Sequence, residues 1–200
     1  MGQCHLEHND PVSALESFRV GELWVGNDPP GDRLLLAILE RAAERGVPVR
    51  HLERGQRIQW DGVDVRVLNP RLGEQPLSRV SNNASLVLHL AWGRRAFLLT
   101  GDIHHEMERE LVAGSDPVQA DVLKVAHHGS LTSSTPAFLA RVRPRVALIS
   151  CGVGNRYGLP DATVLDQLEA AGARVYRTDR DGMLSVWTDG EDLWFRKVLY

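Results

Sequence analysis

The chain has 200 residues and a mass of 22.2 kDa, with 43% hydrophobic and 24% charged residues, the balance of an ordinary globular domain with one sizeable core. That composition excludes a disordered or fibrous chain. Lys and Arg number 23 against 26 Asp and Glu, so the net charge of −3 excludes a bulk positive field for holding a polyanion, and any nucleic-acid contact must be local.

Gly21 to Gly26 predicts a short strand, and Asp32 offers an N-cap to a helix with Leu35, Ile38, Leu39 and Ala42 on one face, closed by Gly46. Short β-type runs follow at Val49 to Leu52, Ile58 to Trp60 and Val63 to Leu68, the last two joined by the Asp61-Gly62 hairpin signal. Asn69 to Ser81, with Pro70, Gly73 and Pro76, reads as a loop. Ala84 to Ala91 and Arg95 to Thr100 predict a buried hairpin through Trp92-Gly93-Arg94. His104 to Val112 is helical by pattern, with Glu106, Glu108 and Glu110 partly facing solvent, and Asp121 to Ala126 is a strand. Thr135-Pro136 starts a helix, Arg145 to Ser150 is a strand, and Pro160 opens a helix with Val164, Leu165, Leu168 and Ala171 on one face. Strands at Arg174 to Tyr176, Met183 to Thr188 and Leu193 to Val198 finish the chain, with Gly190 marking the last hairpin. Strand pairs and single helices alternate without repeats or linkers, so residues 1–200 read as a single layered α/β domain.

No apolar run approaches the roughly 18 to 20 residues that span a bilayer. Met1 to Asp10 carry neither a basic n-region nor an apolar h-region, so the chain as written reads as soluble and without a signal peptide. Cys4 and Cys151 make neither a disulfide framework nor a zinc-ligand spacing.

Six of the eight histidines fall in three short segments, at His5 and His8, His104 and His105, and His127 and His128. Asp102 follows the apolar run Phe97-Leu98-Leu99, and His127-His128-Gly129-Ser130 follow a second expected buried strand, Val122 to Ala126, so both segments sit at strand ends and can converge on one sheet edge. A carboxylate and imidazoles meeting there suit Zn²⁺ or Mn²⁺, which polarise phosphoryl or acyl oxygens and lower the pKa of bound water to about 7. The plainer reading is a turn carboxylate beside histidines that cap a helix. His104 and His105 read as surface or supporting residues, His89 as a core histidine and His51 as a half-exposed strand residue. Arg141, Arg143 and Arg145 read as a solvated helix end, and the tryptophans as packing residues rather than base-stacking ones.

Five ordered segments carry a family resemblance: Asn82 to Leu88 (NNASLVL), Leu98 to Asp102 (LLTGD), Leu123 to Ser130 (LKVAHHGS), Asn155 to Pro160 (NRYGLP) and Thr178 to Gly182 (TDRDG). In order and spacing they resemble the metallo-β-lactamase-like domain at the C-terminus of ComEC-family competence proteins. The resemblance implies an α/β fold of the αβ/βα sandwich type with a metal centre at one edge, holding one or two Zn or Mn ions. It also implies a nuclease-like role in DNA uptake, DNA as substrate, the membrane-channel part of a ComEC-type protein as partner, and a place at the outer face of the bacterial inner membrane. Carried onto this chain, it makes Asp102 the metal-bridging carboxylate and His127 or His128 the late histidine ligand, with Asn82 and Ser85 shaping the wall and Ser130 and Lys124 beside the ligands.

The family signature H-x-[HD]-x-D-H can be laid on Gln3 to His8, which matches His5, Glu7 and His8 in type as further ligands but puts glutamine at the first histidine. Starting the signature at His5 instead places Glu7, Asn9 and Asp10 at the later positions. The family's first strands precede that signature, so the resemblance implies the C-terminal part of such a domain, lacking those strands. Leu159 stands where the family has a histidine before the proline. Two functions follow: a metal-dependent hydrolase using Asp102 and Ser130 catalytically, or a truncated, degenerate domain serving as an interaction module or inactive fragment.

Overall fold

The computed structural model describes residues 15–26, 33–71 and 81–198; Asp32 and the expected ligands His5, Glu7 and His8 lie outside them. Strand β1 (Leu23–Val25) leads to helix α1 (Arg33–Glu44), and β2 (Val49–His51) returns parallel to β1, giving the β-then-α unit that the helical spacing of leucines predicts. Asp61 and Gly62 take φ of 48° and 85°, the left-handed pair whose twist suits a two-residue hairpin, and join β3 (Arg57–Trp60) to β4 (Val63–Asn69) antiparallel.

β5 (Val87–Trp92) and β6 (Arg95–Leu99) form the next hairpin, but β5 starts at Val87 rather than Ala84. The reason is Asn69, buried at the end of β4, whose amide donates to the carbonyls of Asn83 (2.9 Å) and Ser85 (2.8 Å) and winds Ser81–Ala84 into a 3₁₀ turn. Three β-α-β crossovers follow through α2 (His105–Ala113), β7 (Val122–Lys124), α3 (Pro136–Val142), β8 (Val146–Ile149), α4 (Ala162–Ala170) and β9 (Arg174–Arg177). Strand β7 ends at Lys124, short of the expected Ala126, because the chain turns left-handed at His127. Helix α4 is opened by Asp161 rather than Pro160: its carboxylate accepts the Thr163 N–H at 2.8 Å. A short helix α5 (Thr178–Asp181), which periodicity did not predict, leads to the hairpin β10 (Met183–Thr188) and β11 (Leu193–Val198).

The sheet order is β3-β4-β5-β6-β7-β8-β9, antiparallel up to β6 and parallel from β6 to β9. One face carries the main core: Leu98, Leu123 and Ala147 from the strands meet Met107 and Leu111 of α2, Phe138, Leu139 and Val142 of α3, and Val164 and Leu168 of α4. All three crossover helices therefore lie on that face, as the uniform right hand of such connections requires. The opposite face, through Val122, Val146 and Tyr176, is covered by Leu184, Val186 and Leu193 of the β10–β11 hairpin, with the Tyr176 and Phe195 rings stacked at 5.8 Å. This is the layered α/β, metallo-β-lactamase-like class that the motifs imply. Among the described residues its second sheet is represented by small two-stranded units alone.

His89 lies in the core, 5% exposed, where its Nε2–H donates to the Gln119 carbonyl at 2.9 Å; burial lowers its pKa. Trp60, Trp92, Trp187 and Trp194 are exposed on sheet surfaces, and Trp24 packs edge-on against Trp60 at 6.3 Å.

Candidate functional site

Because β6 to β9 are parallel, the segments that follow them emerge at one sheet edge. Thr100-Gly101-Asp102 follows β6, the histidine turn follows β7, the Asn155 to Pro160 loop follows β8, and α5 follows β9. Ser81–Ala84, which precedes β5, joins them there because β5 runs antiparallel to β6 and pairs Leu88 with Leu99. The carboxyl edge of a sheet is where α/β domains gather their ligand-binding loops.

Asp102 is held by its backbone N–H, which donates to Ser85 Oγ at 3.0 Å. Gly101 makes that approach possible: a Cβ there would fall 2.6 Å from Ser85 Cβ, and its φ is 57°. His104 is fixed in the same way by its N–H to Asn83 Oδ1 (2.8 Å), and its Nε2 accepts from the Asn82 amide at 3.0 Å. Asn82 and Ser85 thus lie against His104 and Asp102 respectively.

His127, His128 and Gly129 have φ of 46°, 55° and 80°, three successive left-handed residues. For non-glycine residues this conformation costs about 1 to 2 kcal/mol each, a strain that accumulates where side chains must be aimed. The turn aims the two rings differently. His128 Nδ1 donates to the Ser150 carbonyl at 2.7 Å, so in the neutral ring the lone pair is on Nε2, and Nε2 faces Asp102 Oδ2 at 3.8 Å. Two electron-pair donors facing each other across that gap favour a cation or proton between them.

His127 turns away from Asp102's partner toward Thr132. Thr132 Oγ1 donates to Ser130 Oγ at 3.1 Å, so its oxygen accepts from His127 Nδ1–H at 3.0 Å. The ring stacks on His104 with centroids 4.9 Å apart and planes 14° from parallel. Burial lowers the His127 pKa, with the Asp102 charge opposing and His104, His128 and Lys124 adding to the effect. Ser130 Oγ also accepts the Thr132 N–H at 3.3 Å, so its bonds brace the loop that supports His127. Lys124 is half-buried beneath the edge, its Nζ donating to the Val125 carbonyl at 3.0 Å; burial lowers its pKa, with the nearby Asp102 charge opposing.

The structure therefore brings Asp102 to His128 and groups His127 with His104, Thr132 and Ser130. Among the described residues no three His, Cys, Asp or Glu side chains come close enough to hold a metal ion. His5, Glu7 and His8 lie outside those residues. The sequence suggested a surface or supporting place for His104; it is half-buried within the site and stacked on His127. It also placed Glu108 partly toward solvent. The side chain is in fact fully buried, accepting the backbone N–H groups of Ser134 and Thr135 (2.8 Å for the latter) and so pinning the loop after the histidine turn to α2.

Fold and edge together define a metallo-β-lactamase-like domain. No protein-family model matches the chain. The ComE operon protein 3 of Bacillus subtilis (strain 168) is 39% identical over 147 residues, 74% of this chain and 19% of its own length. Competence protein ComA of Neisseria gonorrhoeae is 38% identical over 64% of this chain and 18% of its own. Recombination protein 2 of Haemophilus influenzae is 33% identical over 66% of this chain and 16% of its own. A solved structure, CmlA β-hydroxylase E377D mutant, is similar over 80% of this chain and 38% of its own, with 15% identity and a TM-score of 0.47. The chain belongs to the ComEC-type competence proteins and spans less than a fifth of the length of these three relatives.

Proposed function

We propose that this chain is the metal-dependent, nuclease-like hydrolase segment of a competence protein, cleaving phosphodiester bonds during DNA uptake beside the membrane-channel part of that protein. The observation that carries the reading is His128 Nε2 facing Asp102 Oδ2 at 3.8 Å, with the ring locked from behind by Ser150. Both donors suit Mn²⁺ or Zn²⁺, and His5, Glu7 and His8 are the further donors the reading calls for. When bound, such an ion supplies Lewis-acid polarisation of a phosphoryl oxygen and an acidified water.

The chain's own residues do the rest. Ser85 and Gly101 set the position of Asp102, and Ser150 sets the His128 tautomer. Ser130 acts through Thr132 to hold His127 against His104, which makes it a positioning residue in this reading. A module that holds DNA or a protein partner without hydrolysis is the second reading, favoured by Leu159 standing before Pro160 where the family resemblance calls for a histidine.

Calorimetric titration of the full chain with Mn²⁺ and with Zn²⁺ separates the two. Stoichiometric binding that disappears in both Asp102→Ala and His128→Ala, together with hydrolysis of single-stranded DNA dependent on the same residues, is the expected result. Binding indifferent to both substitutions, or none in a folded chain, sinks the hydrolase reading and leaves the second.

A further inference from the structure

The loop between β8 and α4, residues 150–161, is tied at both ends to the histidine turn. Ser150 O accepts from His128 Nδ1 at 2.7 Å, and at the far end Asp161 N–H donates to Gly129 O at 2.9 Å. Pro160 packs so closely on Gly129 that a Cβ there would fall 2.5 Å from Pro160 Cβ. Inside the loop, Asn155 clamps the backbone: its Nδ2 donates to Gly152 O (3.1 Å) and Leu159 O (2.7 Å), and its Oδ1 accepts the Leu159 N–H (3.1 Å).

This rigid frame presents an aromatic ring outward. Tyr157 is 69% exposed, Arg156 lies over the ring 4.8 Å from its centroid, and its Nη2 donates to Tyr157 Oη at 2.6 Å. Val153 on the same loop and Leu131 on the loop beyond Ser130 are 84% and 60% exposed. None of the four contributes to the core, so their exposure serves no packing role. A cation paired with an open aromatic ring, fixed beside a phosphodiester-cleaving edge, has the chemistry to hold an unpaired nucleotide: the ring stacks on the base and the guanidinium faces phosphate. With a net charge of −3, the chain must take affinity for nucleic acid from such a local contact.

We infer that this loop is a contact site for single-stranded nucleic acid, with Tyr157 stacking on a base and Arg156 facing the adjacent phosphate. The inference rests on the reading of the edge as a phosphodiesterase site, and a metal-free experiment tests the two apart. The probe is a labelled oligothymidylate of about 15 nucleotides, and its abasic counterpart, bound to the full chain in EDTA and followed by fluorescence anisotropy. Tyr157→Ala is expected to weaken binding of the oligothymidylate about tenfold and to leave the abasic probe unaffected, while Tyr157→Phe stays within about twofold of the parent. Arg156→Ala is expected to make the affinity less dependent on salt. Thermal unfolding at the parent temperature establishes that each variant is folded. Unchanged binding in Tyr157→Ala, an equal loss on the abasic probe, or no binding by the parent chain overturns the inference. Binding that needs Tyr157 in a chain that neither holds metal nor cleaves DNA sinks the hydrolase reading alone.

Discussion

Glu108 is a carboxylate with no solvent contact, and its neighbours explain why the fold keeps it. Its two oxygens accept the Ser134 and Thr135 N–H groups at the point where Ser134 takes φ of 64°, donors with no strand or helix partner of their own. Truncation in Glu108→Ala leaves both buried donors unpaired, and the expected loss is about 3 kcal/mol of unfolding free energy, read from urea denaturation. The pH dependence follows from burial, which raises the Glu108 pKa above its ordinary 4.5 despite the opposing backbone hydrogen bonds. Between pH 4.5 and that raised value the folded chain holds more protons than the unfolded one, so Glu108's contribution is fully present at lower pH and falls as pH rises. Glu108→Gln, which cannot titrate, is therefore expected to gain in stability relative to the parent as pH rises from about 4 to 7. A parent-to-variant difference that shrinks as pH is lowered contradicts this sign only if it favours Glu108 at the higher pH.

At the scale of elements, end signals were the most legible features. Thr135 caps α3, accepting the Phe138 N–H at 3.4 Å with Pro136 in the first turn, as its sequence position suggests. Thr135→Ala is expected to cost about 1 kcal/mol, and Asp161→Ala at the start of α4 about the same, both measurable as a lowered denaturation midpoint. A loss near zero at Thr135 would mean that the Glu108 bond to its backbone already fixes that end. The misplaced boundaries share one cause. Asn69 draws Ser81–Ala84 out of the β5 ladder, and Ser150 and Thr132 draw the histidine turn out of β7. These are side-chain bonds to residues 5 to 22 positions away, and they override an apolar alternation that local pattern reads as strand.

For the whole molecule, stability is concentrated in the central strands. Leu98, Leu123 and Ala147 lie on adjacent parallel strands paired on both sides and packed under three helices, whereas β10 and β11 pair only with each other. Amides of β6, β7 and β8 are expected to exchange with deuterium more slowly than those of β10 and β11, because the hairpin can open without breaking the main core. Leu123→Ala is expected to cost about 2 to 5 kcal/mol, since the β7 position is closed on both sides and has little freedom to collapse. Equal exchange rates across both units would show that the hairpin and the main sheet open together.

The sequence by itself determined the layered α/β class, most strand and helix positions, the caps, and the placing of Asp102 and the histidine pair at strand ends. These are local properties: apolar period, turn chemistry and capping residues act over a few positions. The family motifs were legible too, because they are contiguous runs in a preserved order. Only the tertiary structure decided that β6 and β7 are parallel neighbours with Leu99 beside Lys124, which brings Asp102 to the histidine turn, 3.8 Å from His128 Nε2. It alone stacked His104 on His127 and buried Glu108 beneath the loop. Those arrangements depend on which strands pair and how a left-handed turn aims consecutive rings, and contacts between distant segments leave no signature within any short window of sequence.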